Sequence, residues 1–320
     1  MSSPHTHGLN LAQSSALTRY ATTLSVGVAA ILIVIKAVAW VQSGSVSMMA
    51  SLADSSLDLV ASLVTFFAVR YAAAPPDAEH RFGHGKAEAF ASLIQGGLVF
   101  ASAALIGQEA LNRIAHPQPI QQEGWAMVVM VASIALTMAL IAAQSRVLRQ
   151  TGSVAVSGDR AHYAADLASN GVSLLGIAAV ALFHQPVLDA IAGLIVAVWL
   201  VWGAIGVFSQ ASVQLMDQEL PDEQRARIIH LMTEDARIRG VHQLRTRASG
   251  PFIHMQMHAD LDPSLSLVEA HNVMVAAENR VLAAFPAADI LIHPDPSGQA
   301  EPHGGAFAET AASHGAHNHD

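Results

Sequence analysis

Two carboxylates, Asp54 and Asp58, stand four residues apart in the segment SLADSSLDLVAS, inside a run that is otherwise apolar. A second segment, DRAHYAADLASN, spaces His162, Asp166 and Asn170 by the same interval. Residues i and i+4 share one face of a helix, so each segment predicts a polar stripe on one side. A carboxylate withdrawn from water is unfavourable unless paired, and an ionisable group within an apolar span marks a functional candidate facing a cavity. Three carboxylates and one imidazole make a hard-to-borderline ligand set for a divalent transition metal. Four such ligands suit tetrahedral Zn²⁺ at about 2.0–2.2 Å. Asp54, Asp58, His162 and Asp166 are thus the candidate ligands of one shared ion, and Ser47, Ser51, Ser55 and Ser62 fit a polar cavity beside it. The alternative places Asp54 and Asp58 at a solvated helix end, which the preceding QSGS would allow. His162 taken alone would be an ordinary structural histidine; its spacing from Asp166 is what raises it. Lys36, in the first apolar run, is expected to snorkel or to pair with an acid rather than bind metal.

The elements that must position these residues are membrane helices. Of 320 residues, 52% are hydrophobic and only 13% charged, against roughly a quarter charged in a soluble domain. Six apolar stretches reach the length of about 20 residues that a bilayer core requires. They cover residues 20–41, 48–71, 88–112, 124–146, 161–183 and 187–209. Arg70, Arg81 and Lys86 flank the second connection and Arg146, Arg149 and Arg160 the fourth, whereas the third carries only Arg113 and the others none. Basic residues mark the cytoplasmic side, so these two connections and both termini are expected there. Trp40 and Trp125 fall near span ends as interfacial aromatics do; Trp199 and Trp202 sit deeper. No removable signal peptide is read at the N-terminus, and the first apolar stretch is expected to remain as an anchor. The chain divides into a cytoplasmic tail (1–15), a six-helix membrane domain (16–210), a soluble domain (211–296) and a disordered His-containing tail (297–320).

The soluble domain reads as helix, strand, strand, helix, strand. LPDEQRARIIHLMTEDARI has Ile228, Ile229 and Met232 on one helical stripe. VHQLRTRASG and PFIHMQMHADLD read as strands joined at Gly250-Pro251, the second alternating Ile253, Met255 and Met257 with His254, Gln256 and His258. Ser266 and Glu269 have capping-box spacing at the start of the next helix, and ADILIHPDP supplies the last strand. This order predicts an α+β layer of helices on one sheet.

Further metal-binding residue types lie outside the spans. Asp77, His80 and His84 in PPDAEHRFGHGKAE have spacings of three and four that could converge on one ion, or could belong to a solvated loop. His242, His258, His271, His293 and Asp295 are concentrated in the soluble domain, yet spacing alone does not bring them together. The termini add His5, His7, His303, His314, His317 and His319, either weak metal ligands or solvated. Cysteine is absent, so metal chemistry falls to His and carboxylate. Sixteen scattered basic residues and a net charge of −9 argue against a nucleic-acid partner.

The DSSLD, HYAAD, DAEHRFGHGKAE, LRTRASGP and LIHPDP segments, in this order and spacing, resemble the cation diffusion facilitator family, most of all its bacterial zinc and ferrous-iron efflux members. The likeness runs from the first span to Pro296. It implies a homodimer of six-span subunits in the inner membrane, each with a metallochaperone-like cytoplasmic domain, exchanging a divalent cation for protons. Carried over by position, the family's transport site falls on Asp54, Asp58, His162 and Asp166. Its loop site falls on Asp77, His80 and His84, and its regulatory cytoplasmic sites on His242, His258, His271, His293 and Asp295. Lys86 and Asp217 match a hinge salt bridge, whereas His254 matches no ligand.

Metal binds deprotonated ligands, so protons and metal compete, which is antiport in outline. Zn²⁺ is the expected cargo and regulatory ion, with Cd²⁺, Fe²⁺, Co²⁺ and Mn²⁺ as alternative cargo. The expected partners are metal ions, protons, membrane lipid and a second copy of the chain. Two other classes compete with a transporter. An intramembrane metal-dependent hydrolase needs an open coordination position and a base, and no HExxH is present; a membrane metal sensor needs an output domain, and none is visible.

Overall fold

The computed structural model describes residues 11–43, 46–115, 124–183 and 187–298. The terminal histidines and the expected disorder beyond residue 298 lie outside the described residues. Six long helices come first: α1 (Leu11–Ser43), α2 (Val46–Ala72), α3 (Ala87–Ala115), α4 (Gly124–Thr151), α5 (Val154–Phe183) and α6 (Val187–Leu215). All but α5 contain, among the described residues, a stretch long and apolar enough to cross a membrane. The side chains of the apolar second half of α5, 173–183, lie outside the described set.

Polarity in this bundle is distributed as a bilayer demands. Ile31, Val34, Phe67, Ile195, Val198 and Trp202 face outward, whereas Ser25, Ser62, Thr65, Gln95, Gln144 and Asp159 are buried between helices. Lipid rewards the first arrangement, and internal hydrogen bonds satisfy the second. Asp159 on α5 accepts from Ser25 Oγ on α1 at 2.6 Å, Gln95 Nε2 on α3 at 3.2 Å and Gln144 Nε2 on α4 at 2.8 Å. Tyr163 extends this network through Ser62 on α2, 2.7 Å away, and donates to the Ser25 carbonyl at 3.2 Å. These bonds explain why α5 starts at Val154, seven residues before the apolar run: the polar residues at its start have partners on neighbouring helices. Small residues let the backbones approach. A Cβ on Gly158 would stand 3.0 Å from Ser92 Cα, so α3 and α5 meet at a glycine. At Gly152, with φ of 64°, α4 ends in a left-handed cap that only glycine adopts readily, and α5 follows almost at once.

The chain divides into two compact units, the first reaching Met216 and including Ser249–Pro251, the second formed by the remainder from Asp217 onward. The second contains α7 (Asp222–Thr233), β1 (Ile238–Ser249) as far as Ala248, β2 (Phe252–Leu261), α8 (Leu267–Ala284) and β3 (Ala288–Pro296). Its helix-strand-strand-helix-strand order is the one read from the sequence. The sheet order is β1-β2-β3, with β2 and β3 parallel and α8 as the crossover that parallel pairing needs. Ile228, Met232, Met255, Met257, Val273, Ala277, Val281 and Phe285 form the core. Ile229, expected on the same stripe as Ile228, is instead partly exposed. The capping box at α8 is complete: Ser266 Oγ accepts from the Glu269 N–H, and the Glu269 carboxylate accepts from the Ser266 N–H at 2.8 Å.

Candidate metal sites

Within the bundle, α2 and α5 turn their polar stripes toward each other. His162 Nε2 lies 3.2 Å from Asp58 Oδ1 and 3.7 Å from Asp166 Oδ2. One ligand atom from each of these three residues lies within 4.8 Å of the others. The edge of a tetrahedron around Zn²⁺ with bonds near 2.0 Å is about 3.3 Å, so the spacing fits such an ion. The buried Asp166 Oδ2 and His162 Nδ1 have no hydrogen-bond partner among the described residues. An orphaned carboxylate oxygen beside an imidazole is the donor set a cation completes. Asp54, the fourth sequence candidate, is more exposed and stands outside this close group, though within electrostatic range of Asp58 and His162. Lys36 does not snorkel. It is buried, and its Nζ donates to Ser55 Oγ at 2.6 Å and the Ser51 carbonyl at 3.2 Å, both on α2.

The connection between α2 and α3 folds its own three candidates together. Asp77 Oδ1 accepts the backbone N–H groups of His80 at 2.6 Å and Glu79 at 3.0 Å, an Asx-type turn. Gly83, with φ of 79°, then reverses the chain and brings His84 back. Asp77 uses both oxygens, Oδ1 at 3.3 Å from His80 Nδ1 and Oδ2 at 3.1 Å from His84 Nε2. His84 is buried, with its ring 4.4 Å from that of Tyr71 and its Nδ1 without a hydrogen-bond partner among the described residues. The His80 backbone N–H, with smaller contributions from the Glu79 N–H and the two histidines, holds the Asp77 carboxyl below its usual range. It therefore stays charged, as a candidate ligand must.

In the second unit, the parallel register places His258 beside His293 and Asp260 beside Asp295. Asp295 is buried, its Oδ2 lying 2.8 Å from His258 Nδ1 and 3.3 Å from His242 Nε2, its Oδ1 3.3 Å from His293 Nε2. His242, His258 and Asp295 form the closest set. A local irregularity in β1 delivers His242. Val241 and Leu244 both pack on the core although three apart, which strict alternation forbids, and Gln243 between them has φ of 48°. Such bulges re-aim a side chain, here onto the histidine face. Among the predicted ligands, His271 is exposed on α8 and is not in the close set. His254 is buried and pairs with Asp289 at 3.1 Å instead. Asp217 pairs with Arg247 at 3.1 Å.

Two polar residues escaped the sequence reading. Asp260 Oδ1 stands 3.6 Å from His242 Nε2, and its place in the alternation with His258 was the available signal. Asp159 anchors the buried network described above, and only its position three residues before His162 hinted at burial.

Residues 22–216 match the cation efflux transmembrane domain and residues 220–297 the cation efflux protein cytoplasmic domain. Relatives named cation-efflux pump FieF have sequences similar to this chain. The one from Yersinia enterocolitica is 38% identical over 89% of this chain and 95% of its own. That from Shewanella oneidensis is 39% identical over 89% and 95%, and that from Klebsiella pneumoniae 38% over 87% and 92%. A polar, metal-spaced cluster between apolar helices, a histidine-bearing αββαβ unit and these matches along nearly the whole chain agree: the protein is a member of the cation efflux family, the cation diffusion facilitators.

Proposed function

We propose that this chain exports a divalent transition-metal cation, Zn²⁺ on geometric grounds, in exchange for protons by alternating access. The observation that carries the reading is the convergence of Asp58, His162 and Asp166 from two apolar helices, with a buried Asp166 carboxylate oxygen that has no hydrogen-bond partner among the described residues. The relatives' printed names, cation-efflux pumps, support the direction of transport. Asp54 serves as the fourth ligand, reached by a small movement of α2. Only deprotonated carboxylates and neutral imidazole bind metal, so cargo displaces protons on one side and protons displace cargo on the other. His162 is the proton carrier of this scheme, since an imidazole binds metal only in its neutral form.

Asp77, His80 and His84 fit a second ion, as do His242, His258 and Asp295 with His293 close by; His271 completes the cytoplasmic set in our reading. Bound Zn²⁺ there would supply positive charge that draws cytoplasmic domains of two subunits together and favours the transport-competent arrangement. Lys86 and Asp217 act as a hinge pair in the same scheme. The protein works as a homodimer in the inner membrane with both termini cytoplasmic, and Cd²⁺, Fe²⁺, Co²⁺ and Mn²⁺ remain alternative cargo. The domain limits that go with this are 16–210 for the membrane part and 211–296 for the cytoplasmic part.

Reconstituted proteoliposomes test the proposal. Saturable Zn²⁺ flux should follow an imposed pH gradient and vanish in Asp58→Ala. Flux in Asp58→Ala at the parent's rate refutes it, and metal binding without any flux would favour a sensor.

A further inference from the structure

A buried lysine on α1 is bound to the helix that carries Asp54 and Asp58. Lys36 on α1 is 7% exposed, and two of its three ammonium protons are held by the Ser55 hydroxyl and the Ser51 carbonyl. Those partners lie one helical turn apart on α2 and bracket Asp54, with Asp58 on the next turn. The hydroxyl and the carbonyl supply hydrogen bonds but no charge. A buried ammonium persists only where anions offset it, and Lys36 interacts electrostatically with both Asp54 and Asp166. Its tether to α2 prevents the outward swing by which lysines in lipid usually reach water. The ammonium is thus a fixed charge at the edge of the site.

We propose that Lys36 is the resident counter-cation of the transport site, an inference that rests on reading Asp54, Asp58, His162 and Asp166 as that site. Three carboxylates and one ammonium carry a formal charge of −2, which one divalent ion cancels. With Lys36 present, the vacated site bears less uncompensated charge, so it can remain closed during return. The same ammonium repels the incoming ion and keeps it from binding too tightly to leave. The ammonium thereby leaves the site with the formal charge that a divalent cargo neutralises.

The test compares full-length protein with Lys36→Met, Lys36→Gln and Lys36→Arg, with His84→Ala and Asp295→Ala added for the affinity measurements alone, to silence the other clusters. Zn²⁺ affinity is measured by calorimetry, and flux in proteoliposomes, at alkaline pH where protons compete little. Lys36→Met and Lys36→Gln should bind Zn²⁺ about tenfold tighter or more and turn over about tenfold more slowly, while Lys36→Arg keeps both parental values. A merely structural role lowers affinity and flux together. Parental or weaker affinity in either folded neutral variant overturns the proposal, as does tighter binding with undiminished flux. Lys36→Gln, which can still hydrogen-bond Ser55, covers the case in which Lys36→Met does not fold. Adding Asp58→Ala to the same background separates the two ideas: parental Zn²⁺ affinity there means that the transport-site assignment itself is wrong.

Discussion

His162 Nε2 stands 3.2 Å from Asp58 Oδ1, joining two side chains 104 residues apart in sequence. The contact crosses from α5 to α2 and leaves the Asp166 oxygen 3.7 Å from the same nitrogen. Such edges match a tetrahedral ion, whereas Asp54 stands back from the group. The four acids and bases of the candidate site are therefore not equivalent in the structure.

That inequality predicts a graded response. Asp58→Ala should abolish Zn²⁺ flux, and Asp54→Ala should weaken Zn²⁺ affinity by about tenfold or more, roughly 1.4 kcal/mol, while retaining measurable transport. Calorimetric titration and liposome flux on the two variants check the order; equal loss in both would contradict it.

Asp77 should not contribute to the pH dependence of metal binding at the loop site. Hydrogen bonds from the His80 and Glu79 backbones favour the Asp77 carboxylate form, so the group stays ionised from about pH 5 to 8, the range in which histidines change charge. Asp77→Asn should weaken metal binding at the loop without moving the pH midpoint of metal loss. A displaced midpoint, read by metal titration across pH, would show that Asp77 itself titrates there.

Gly158 predicts a packing penalty. An added methyl would meet Ser92 Cα at 3.0 Å, backbone that cannot swing away. Gly158→Ala should therefore separate α3 from α5 and destabilise the bundle by about 1–3 kcal/mol, seen as a lower unfolding temperature in detergent together with reduced flux. Unchanged melting would mean that the helices have slack at this crossing.

Stability of the second unit should fall in acid. Arg237, through a side-chain hydrogen bond first and its backbone N–H next, lowers the Asp235 carboxyl to about 2, and Ser266 lowers Glu269. Both folded values lie below the unfolded ones, so these carboxylates stabilise above the ordinary carboxylate range, and the contribution disappears as pH drops through the folded values. Both pairs are exposed and salt-screened, which keeps each effect small. Ser266→Ala additionally removes the α8 cap, at about 1 kcal/mol. Hydrogen exchange along α8 should accelerate in Ser266→Ala at neutral pH; unaltered exchange would indicate that tertiary packing alone holds the helix start.

The amino-acid sequence by itself determined the kind of protein and most of its parts. Apolar runs of spanning length, period-two alternation around Met255 and Met257, and Ser266 with Glu269 are local patterns, and local physics suffices to read them. The pairs Asp54/Asp58 and His162/Asp166 were legible for the same reason, because a helix forces i and i+4 onto one side. Tertiary structure decided what crosses between elements. It set Asp58 against His162 and left Asp54 apart. It tied Lys36 to α2 instead of sending it to the interface. It satisfied Asp159 with three other helices, which let α5 begin seven residues before its apolar run. The bulge at Gln243 and the β2–β3 register gathered His242, His258, His293 and Asp295, residues whose spacing along the chain has no period. Distances between segments depend on packing and register, and neither is encoded in the spacing of residues within one segment.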